Sequence, residues 1–305
     1  MSMSERLRLL ARIGVVLVLL FCGLSTFVTP LNYPWDADSS HDRSGGQDLV
    51  SFYREAYDAP SAGASSSPQG QPVDDHVYIR TAREAAQGVG ILEEVKSFVD
   101  TYRLHDKRVL EVGAGAGLLQ DVVQGYTALD ISPTARRFFH KPFVEASATA
   151  MPFADNTFDA VWSIWVLEHI PNPEKALLEM RRVIKGDGLI LLQPAWNCTP
   201  WSAEGYSVRP YSDFSLKGKL VKASVRIRSS RRYRMLYRPQ VRLLRSLQYY
   251  WSAEPTRLRF VRLTPNYSRY WEPDSDAAVS IDRHEALLWF ASRGDRCLNC
   301  PDVSS

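Results

Sequence analysis

The sequence predicts an α/β fold, a mostly parallel sheet with helices on both faces, and three observations carry that expectation. Val109–Val112 is a short apolar run of the kind that forms a strand buried on both faces, and glycines follow it at 113, 115 and 117. Glycine lets the backbone turn tightly and lets a ligand come close to the main chain, so a strand feeding such a turn can open a nucleotide-binding unit. Tyr126–Asp130 is a second short strand, and its terminal acid lies 19 positions after Glu111 (130 − 111). That offset is close to the ~20 residues at which an acid on the second strand reaches a ribose hydroxyl. The third observation is alternation: strand-like and helix-like segments follow one another as far as Leu192.

Bulk properties bound the remaining choices. A chain of 305 residues with 45% hydrophobic content holds one large domain or two small ones, and it can build a core. Four cysteines, Cys22, Cys198, Cys297 and Cys300, are too few for a disulfide framework at this size. The lone C-x-x-C at 297–300 lacks a second pair or histidines at metal-binding spacing, so both residues read as ordinary thiols and no metal is expected.

Taken in order, the chain opens with Arg6, Arg8 and Arg12 ahead of an uncharged apolar run from Ile13 to Val28. Counting on to Leu31 gives about 19 residues, within the ~17–25 that cross a bilayer. The run reads as a membrane anchor over residues 1–31, with a cleaved signal peptide as the competing reading. No A-x-A site follows it, and Phe21 is too bulky to precede a lipoprotein cleavage at Cys22. The arginines place the N-terminus in the cytoplasm and the remainder across the membrane, a single-pass arrangement. Residues 32–73, rich in Ser, Gly, Pro and Asp, read as a flexible linker, within which Leu49–Tyr57 has one or two helical turns.

Residues 74–305 form the main domain in this reading. Asp74–Leu104 has helical spacing, with Ile91, Leu92, Val95, Phe98 and Val99 on one face. After the glycine turn, Leu118–Val123 opens a helix. Phe158–Ile164 is a buried strand followed by a helix, and Pro173–Ile184 is an amphipathic helix stopped by Lys185-Gly-Asp-Gly188. Leu189–Leu192 supplies the next strand. Further on, Arg257–Leu263 alternates as a strand, His284–Gly294 is a short helix, and a last strand lies around Arg296–Asn299.

Several of these segments together resemble the class I S-adenosylmethionine-dependent methyltransferases that act on small molecules and lipids, with a type 11-like domain. The resemblance runs from Val109 to Pro194 and rests on Glu111-x-Gly-x-Gly-x-Gly117, Asp130-Ile-Ser, Met151-Pro-Phe153, Phe158-Asp159 and Leu167-Glu-His169, in that order. It implies a Rossmann-like sheet of seven strands, parallel but for one, and S-adenosyl-L-methionine as cofactor. Gly113, Gly115 and Gly117 would underlie its methionine part, with Glu111 supporting the turn or binding the ammonium. Asp130 would take the ribose hydroxyls and Ile131 the adenine. Ser147, Ala148 and Met151 would close over the ring. Ser147 stands where many relatives carry an Asp, so the bond to the adenine amino group is weaker here or absent. Ser163 and Ile164 would meet the methionine end through their backbone.

A sulfonium already makes its methyl electrophilic, so the protein chiefly has to align an acceptor and exclude water. A base helps where the acceptor holds a proton of high pKa, and His169 is the candidate by position. Histidines there also cap and pack. Trp165 and Trp196 either shape the acceptor pocket or fill core and rim.

From Arg209 to Arg262 the chain carries 15 Arg or Lys against Asp213 and Glu254, so the rest of a chain of net charge +3 is acidic by about 10. This insertion, about 197–270, interleaves its charge with aromatics. It suits an anionic membrane surface or an acidic acceptor, while no nucleic-acid-binding motif accompanies it. Following the fifth strand, it is expected at the carboxyl ends of the strands, where acceptors bind in open sheets. The sequons at Asn197 and Asn266 read as chance. The sequence therefore points to methyl transfer onto a small-molecule, sugar or lipid-linked acceptor at a membrane. The competing reading is a non-catalytic module of the same fold that docks to membranes or acidic partners through its basic region.

Overall fold

A computed structural model describes residues 12–25, 46–57, 83–202, 205–266 and 274–300. The described helices are α1 (12–25), α2 (Gly46–Ala56), α3 (83–89), α4 (Ile91–Tyr102), α5 (Pro173–Val183), α6 (Leu216–Arg228), α7 (Arg231–Trp251) and α8 (Arg283–Ala291). The strands are β1 (Arg108–Val112), β2 (Gly125–Asp130), β3 (Phe143–Glu145), β4 (Phe158–Ile164), β5 (Ile184–Gln193), β6 (Phe260–Arg262) and β7 (Val279–Ile281). The chain divides into two units. One comprises Ser39–Trp196 with Asp276–Val279; the other comprises Met1–Asp38, Asn197–Ser275 and Ser280–Ser305.

The first unit is built on a sheet ordered β3-β2-β1-β4-β5, every pair parallel. Val109, Ala128, Ala160 and Trp162 turn one face toward Ile91, Val95 and Val99 of α4, which recur every fourth residue along its buried stripe. Leu110, Val112, Leu129 and Val161 alternate to the opposite face and are equally buried. Burial on both sides explains why these strands read as continuous apolar runs. The strand order reverses between β1 and β4, and ligands of open α/β sheets bind at the carboxyl ends of the strands beside such a reversal.

Several expectations need correction. The seven-stranded sheet is five-stranded among the described residues, and β6 and β7 pair separately. No helix follows the glycine turn: residues 118–124 are turns before β2 begins at Gly125, because seven residues are too few for a helical crossover. Gln120 stitches this connection instead. Its amide donates to the carbonyls of Gly117 (3.1 Å) and Phe138 (2.9 Å), and its oxygen accepts from the His140 N–H (3.1 Å). After β4 there is only a 3-10 turn, Leu167–His169. Asn172 caps α5 and Pro173 sits in its first turn, as N-terminal signals do, but α5 passes directly into β5. Lys185–Gly188 lies inside that strand rather than stopping the helix. A Cβ at Gly188 would fall 2.4 Å from Ile184 Cγ1 and 2.9 Å from the Asp159 carbonyl, so glycine is needed there.

The long N-terminal helix is two helices, α3 and α4, broken at Gly90 (φ +76°); residues 74–82 lie outside the described residues. Of the 32–73 linker only 46–57 is described, and there α2 runs eleven residues rather than one or two turns. Arg296–Asn299 is not a strand, and Cys297 and Cys300 are joined by a disulfide. Their Cα atoms lie 5.7 Å apart, the usual disulfide span, so the reading as free thiols is overturned. Of the apolar N-terminal run, α1 is described, whereas Arg6 and Arg8 are not. Among the described residues no helix is long and apolar enough to cross a membrane, and no cluster suited to a metal ion occurs.

In the second unit, α7 turns Tyr237, Val241 and Arg245 inward. Arg245 makes a two-pronged pair with Glu285 of α8, both bonds 2.7 Å and both side chains buried, and its remaining nitrogen donates to the Arg257 carbonyl (3.2 Å). Arg242 reaches Asp282, the N-cap residue of α8, at 2.8 Å.

Candidate functional site

The loop leaving β1 is dictated by its glycines. Gly113, Gly115 and Gly117 all have positive φ, +74°, +52° and +73°. A side chain at either of the first two would collide: a Cβ on Gly113 lies 2.2 Å from Val166 Cγ2, and one on Gly115 lies 2.9 Å from the Tyr57 hydroxyl. The Gly113 and Ala114 N–H groups both donate to the Leu129 carbonyl, at 2.8 and 3.2 Å, tying the turn to the end of β2.

Asp130 sits at that end, buried, and shares its two oxygens. Oδ2 accepts from the Gly115 N–H at 2.8 Å, and Oδ1 from the Ser132 N–H at 2.9 Å. Burial raises its pKa, while these backbone donors work in the opposite direction. Glu111 lies on the same face of the sheet and accepts the Tyr126 hydroxyl. Burial, only partly offset by that bond, pushes Glu111 up to about 8. It therefore carries a proton at neutral pH. Ile131 follows Asp130, half-buried.

The segment after β3 is held differently. The Ser147 hydroxyl is within 2.9 Å of Thr149 Oγ1 and accepts the Thr149 N–H at 3.2 Å, so it closes its own turn. Ala148 and Met151 are buried. The Met151 N–H donates to Glu179 of α5 (2.8 Å), and Arg182, one turn later, donates to the Met151 and Phe153 carbonyls and to Glu179 and Asp155. The Met-Pro-Phe segment is thus clamped to α5 by an arginine the motif does not contain.

At the end of β4, Ser163 is 1% exposed and its hydroxyl has no partner among the described residues. Trp165 adopts φ +54°, a backbone outlier for a bulky residue, with its N–H on the Gln193 carbonyl (2.9 Å). Its ring and Ile164 pack against the core on the α4 side. Trp196 is half-buried after β5.

His169 gathers partners that the sequence did not disclose. Its Nδ1 lies 3.2 Å from the backbone carbonyl of Asp276 and 3.5 Å from that residue's carboxylate. A carbonyl only accepts, so Nδ1 carries the proton, and in the neutral ring Nε2 keeps its lone pair. Nε2 is 3.8 Å from buried Glu168, whose Oε1 accepts the Ala195 N–H (3.0 Å). Tyr53 of α2 donates its hydroxyl to Asp276 (3.0 Å) and sets its ring edge-on to the imidazole. The Ala278 N–H donates to the Glu168 carbonyl, which fixes the returning 276–279 segment here.

α2 roofs these parts. The Ser132 hydroxyl donates to the Tyr53 carbonyl, which also accepts the Tyr57 N–H, the Thr134 hydroxyl donates to the Arg54 carbonyl at the helix end, and Tyr57 lies over Gly115 and Phe138. The sequence signal for Tyr53 and Tyr57 is the aromatic spacing within 49–57. Asp276, 107 positions beyond His169, leaves no local signal.

Donor and acceptor chemistry fits an S-adenosyl group here. Each Asp130 oxygen retains a lone pair for a ribose hydroxyl, the glycine turn excludes side chains, and the buried Ser163 hydroxyl is unspent. Ser147 alone is committed elsewhere.

Comparison with known proteins agrees. Residues 110–192 match the family model described as a methyltransferase domain. The demethylmenaquinone methyltransferase of Renibacterium salmoninarum is 40% identical over 95 residues, covering 28% of this chain and 40% of that relative. A ubiquinone/menaquinone biosynthesis C-methyltransferase of Hahella chejuensis is 38% identical over 80 residues, covering 26% and 32%. The chain thus spans less than half the length of these two relatives. Among solved structures, the YcgJ protein of Bacillus subtilis shares 29% identity over 30% of this chain and 46% of its own, with a TM-score of 0.29. The sugar N-methyltransferase KedS8 from Streptoalloteichus shares 19% identity over 46% and 61%, with a TM-score of 0.35. Such scores do not define a whole-chain architecture. The glycine turn and Asp130 at the strand reversal both fall inside the matched segment, and residues 110–192 are similar to a methyltransferase domain.

Proposed function

We propose that the chain transfers the methyl group of S-adenosylmethionine to a small-molecule, sugar or lipid-linked acceptor presented at a membrane, with His169 as the base. The observation that carries the chemistry is the hold on His169: the Asp276 carbonyl fixes the Nδ1 proton, leaving Nε2 to receive one. When bound, the cofactor supplies an electrophilic methyl on a sulfonium. Asp130 would hold the hydroxyls of its ribose, and the glycine turn would allow close approach. Nε2 of His169 takes the proton from an acceptor O–H or N–H as the new bond forms. Asp276 orients the ring, and Tyr53 orients Asp276. By their names the two curated relatives act in quinone synthesis, which supports an apolar, membrane-soluble acceptor.

The test uses the full chain in mild detergent. Calorimetry should show S-adenosylmethionine binding, and labelled methyl should pass to a component of membrane extracts. His169→Gln should lower kcat ~100–10,000-fold, the scale of general-base assistance, while leaving cofactor affinity unchanged. No cofactor binding would sink the proposal. The engagement of Ser147 with Thr149 favours one alternative, a module of this fold that binds without turnover. Cofactor binding with no S-adenosylhomocysteine release from any extract would select it.

A further inference from the structure

The α6–α7 hairpin presents its apolar residues outward. On α6, Leu216, Leu220 and Ile227 recur at helical spacing and are 78%, 67% and 65% exposed. On α7, Met235, Leu243 and Tyr250 do the same at 54%, 61% and 71%, and Trp251 at its end is 82% exposed. The inward face of α7 is occupied by Tyr237, Val241 and Arg245, so the outward stripe is a second apolar face rather than a misplaced core. Between residues 216 and 251 there are eleven lysines and arginines and no acid. Arg242 and Arg245 are spent on α8; among the described residues the other nine have no carboxylate within ion-pair distance.

We infer that this hairpin is a docking surface for an anionic lipid bilayer. Exposed leucines flanked by cations match the boundary between headgroups and acyl chains, where the apolar stripe enters and the cations meet phosphate. Nucleic acid would use the cations and leave the leucines wet. A second copy would stack cations on cations. Within the same unit, α1 exposes Val16, Leu17 and Leu20, and the Ser25 hydroxyl at its end donates to the Leu236 carbonyl of α7. A further apolar helix therefore adjoins the basic one. The hairpin specifies which residues hold the membrane placement proposed above, and it stands whether or not methyl transfer occurs.

The test is co-sedimentation of the full chain with vesicles of phosphatidylcholine alone or with about one third phosphatidylglycerol, at low and high salt. Binding should favour the anionic vesicles at least about tenfold and lose that preference in high salt. Leu220→Glu with Leu243→Glu should weaken anionic binding about a hundredfold, since each change removes an inserted side chain and adds a repelled charge. Both sites are exposed, so the variant should unfold at the wild-type temperature and bind S-adenosylmethionine as the wild type does. Unaltered binding by the double variant, equal binding to both vesicles, pelleting with nucleic acid only, or vesicle-free dimerisation through this face would each overturn the inference. Loss of vesicle binding with cofactor binding retained, or the reverse, separates this surface from the methyl-transfer reading.

Discussion

In the unit that carries the five-stranded sheet, the carboxyl groups of Glu111, Asp130 and Glu168 are buried, each beside a named donor. In the other unit, the α6–α7 hairpin leaves leucines in the open and sends only two of its eleven cations to carboxylates among the described residues. The two regions invert the ordinary rule in complementary ways. Burial of a carboxylate is costly, so it persists where a ligand or a constrained turn uses it. An exposed apolar stripe adds little to folding, so it persists where a second surface covers it.

Three substitutions break or sharpen this contrast. The largest effect belongs to a place where the basic unit does bury charge, the Arg245–Glu285 pair. Arg245→Ala should destabilise the chain by ~3–5 kcal/mol in urea unfolding, because Glu285 is left buried and unpaired. An unchanged midpoint would mean that α7 and α8 are not joined through this pair.

Glu111→Gln tests the opposite unit through pH. The carboxyl is protonated in the fold up to about 8 against 4.5 for the ordinary group, so the unfolded chain holds fewer protons between those values. Stability that is complete below the ordinary value is then lost as pH rises toward 8, with a slope of at most ~1.4 kcal/mol per pH unit. Glutamine mimics the protonated form and should flatten that slope in unfolding midpoints taken at successive pH values. Parallel slopes for variant and wild type would show that Glu111 titrates normally.

Leu244→Ser should have the smallest effect, within ~0.5 kcal/mol in the same assay, because the side chain is exposed. A cost near that of a core leucine would reveal an intramolecular cover over the stripe.

What the sequence disclosed follows how local each feature is. β1, β2, β4 and α5 were legible because burial on both faces, or on one stripe, writes itself into adjacent residues. The pairing of Asp130 with the glycine turn is a short-range one, since Gly115 lies only 15 positions away. The absent helix after Gly117 was misread because Leu118–Val123 has apolar character but too little length before Gly125. Lys185-Gly-Asp-Gly188 looked like a stop, yet Gly188 is required by close approach to β4 rather than by a turn. The Tyr53–Asp276 bond spans 223 positions and the His169–Asp276 contact 107, and no local pattern encodes either. The disulfide was missed because composition weighs against one, while the turn that brings the sulfurs together is a matter of geometry.

The short link between β1 and β2 also bears on the order of assembly. Arg108 pairs with Gly125 across 17 positions (125 − 108), whereas Val109 pairs with Ala160 across 51 (160 − 109). Closing the longer loop costs about 1 kcal/mol more entropy, so the β1–β2 pair should form first and carry the glycine turn with it. Substitutions in Gln120, which stitches that link, should then slow refolding, whereas substitutions in β5 should chiefly speed unfolding. The glycine turn and the Asp130 that it binds would then belong to the part of the chain that nucleates the domain.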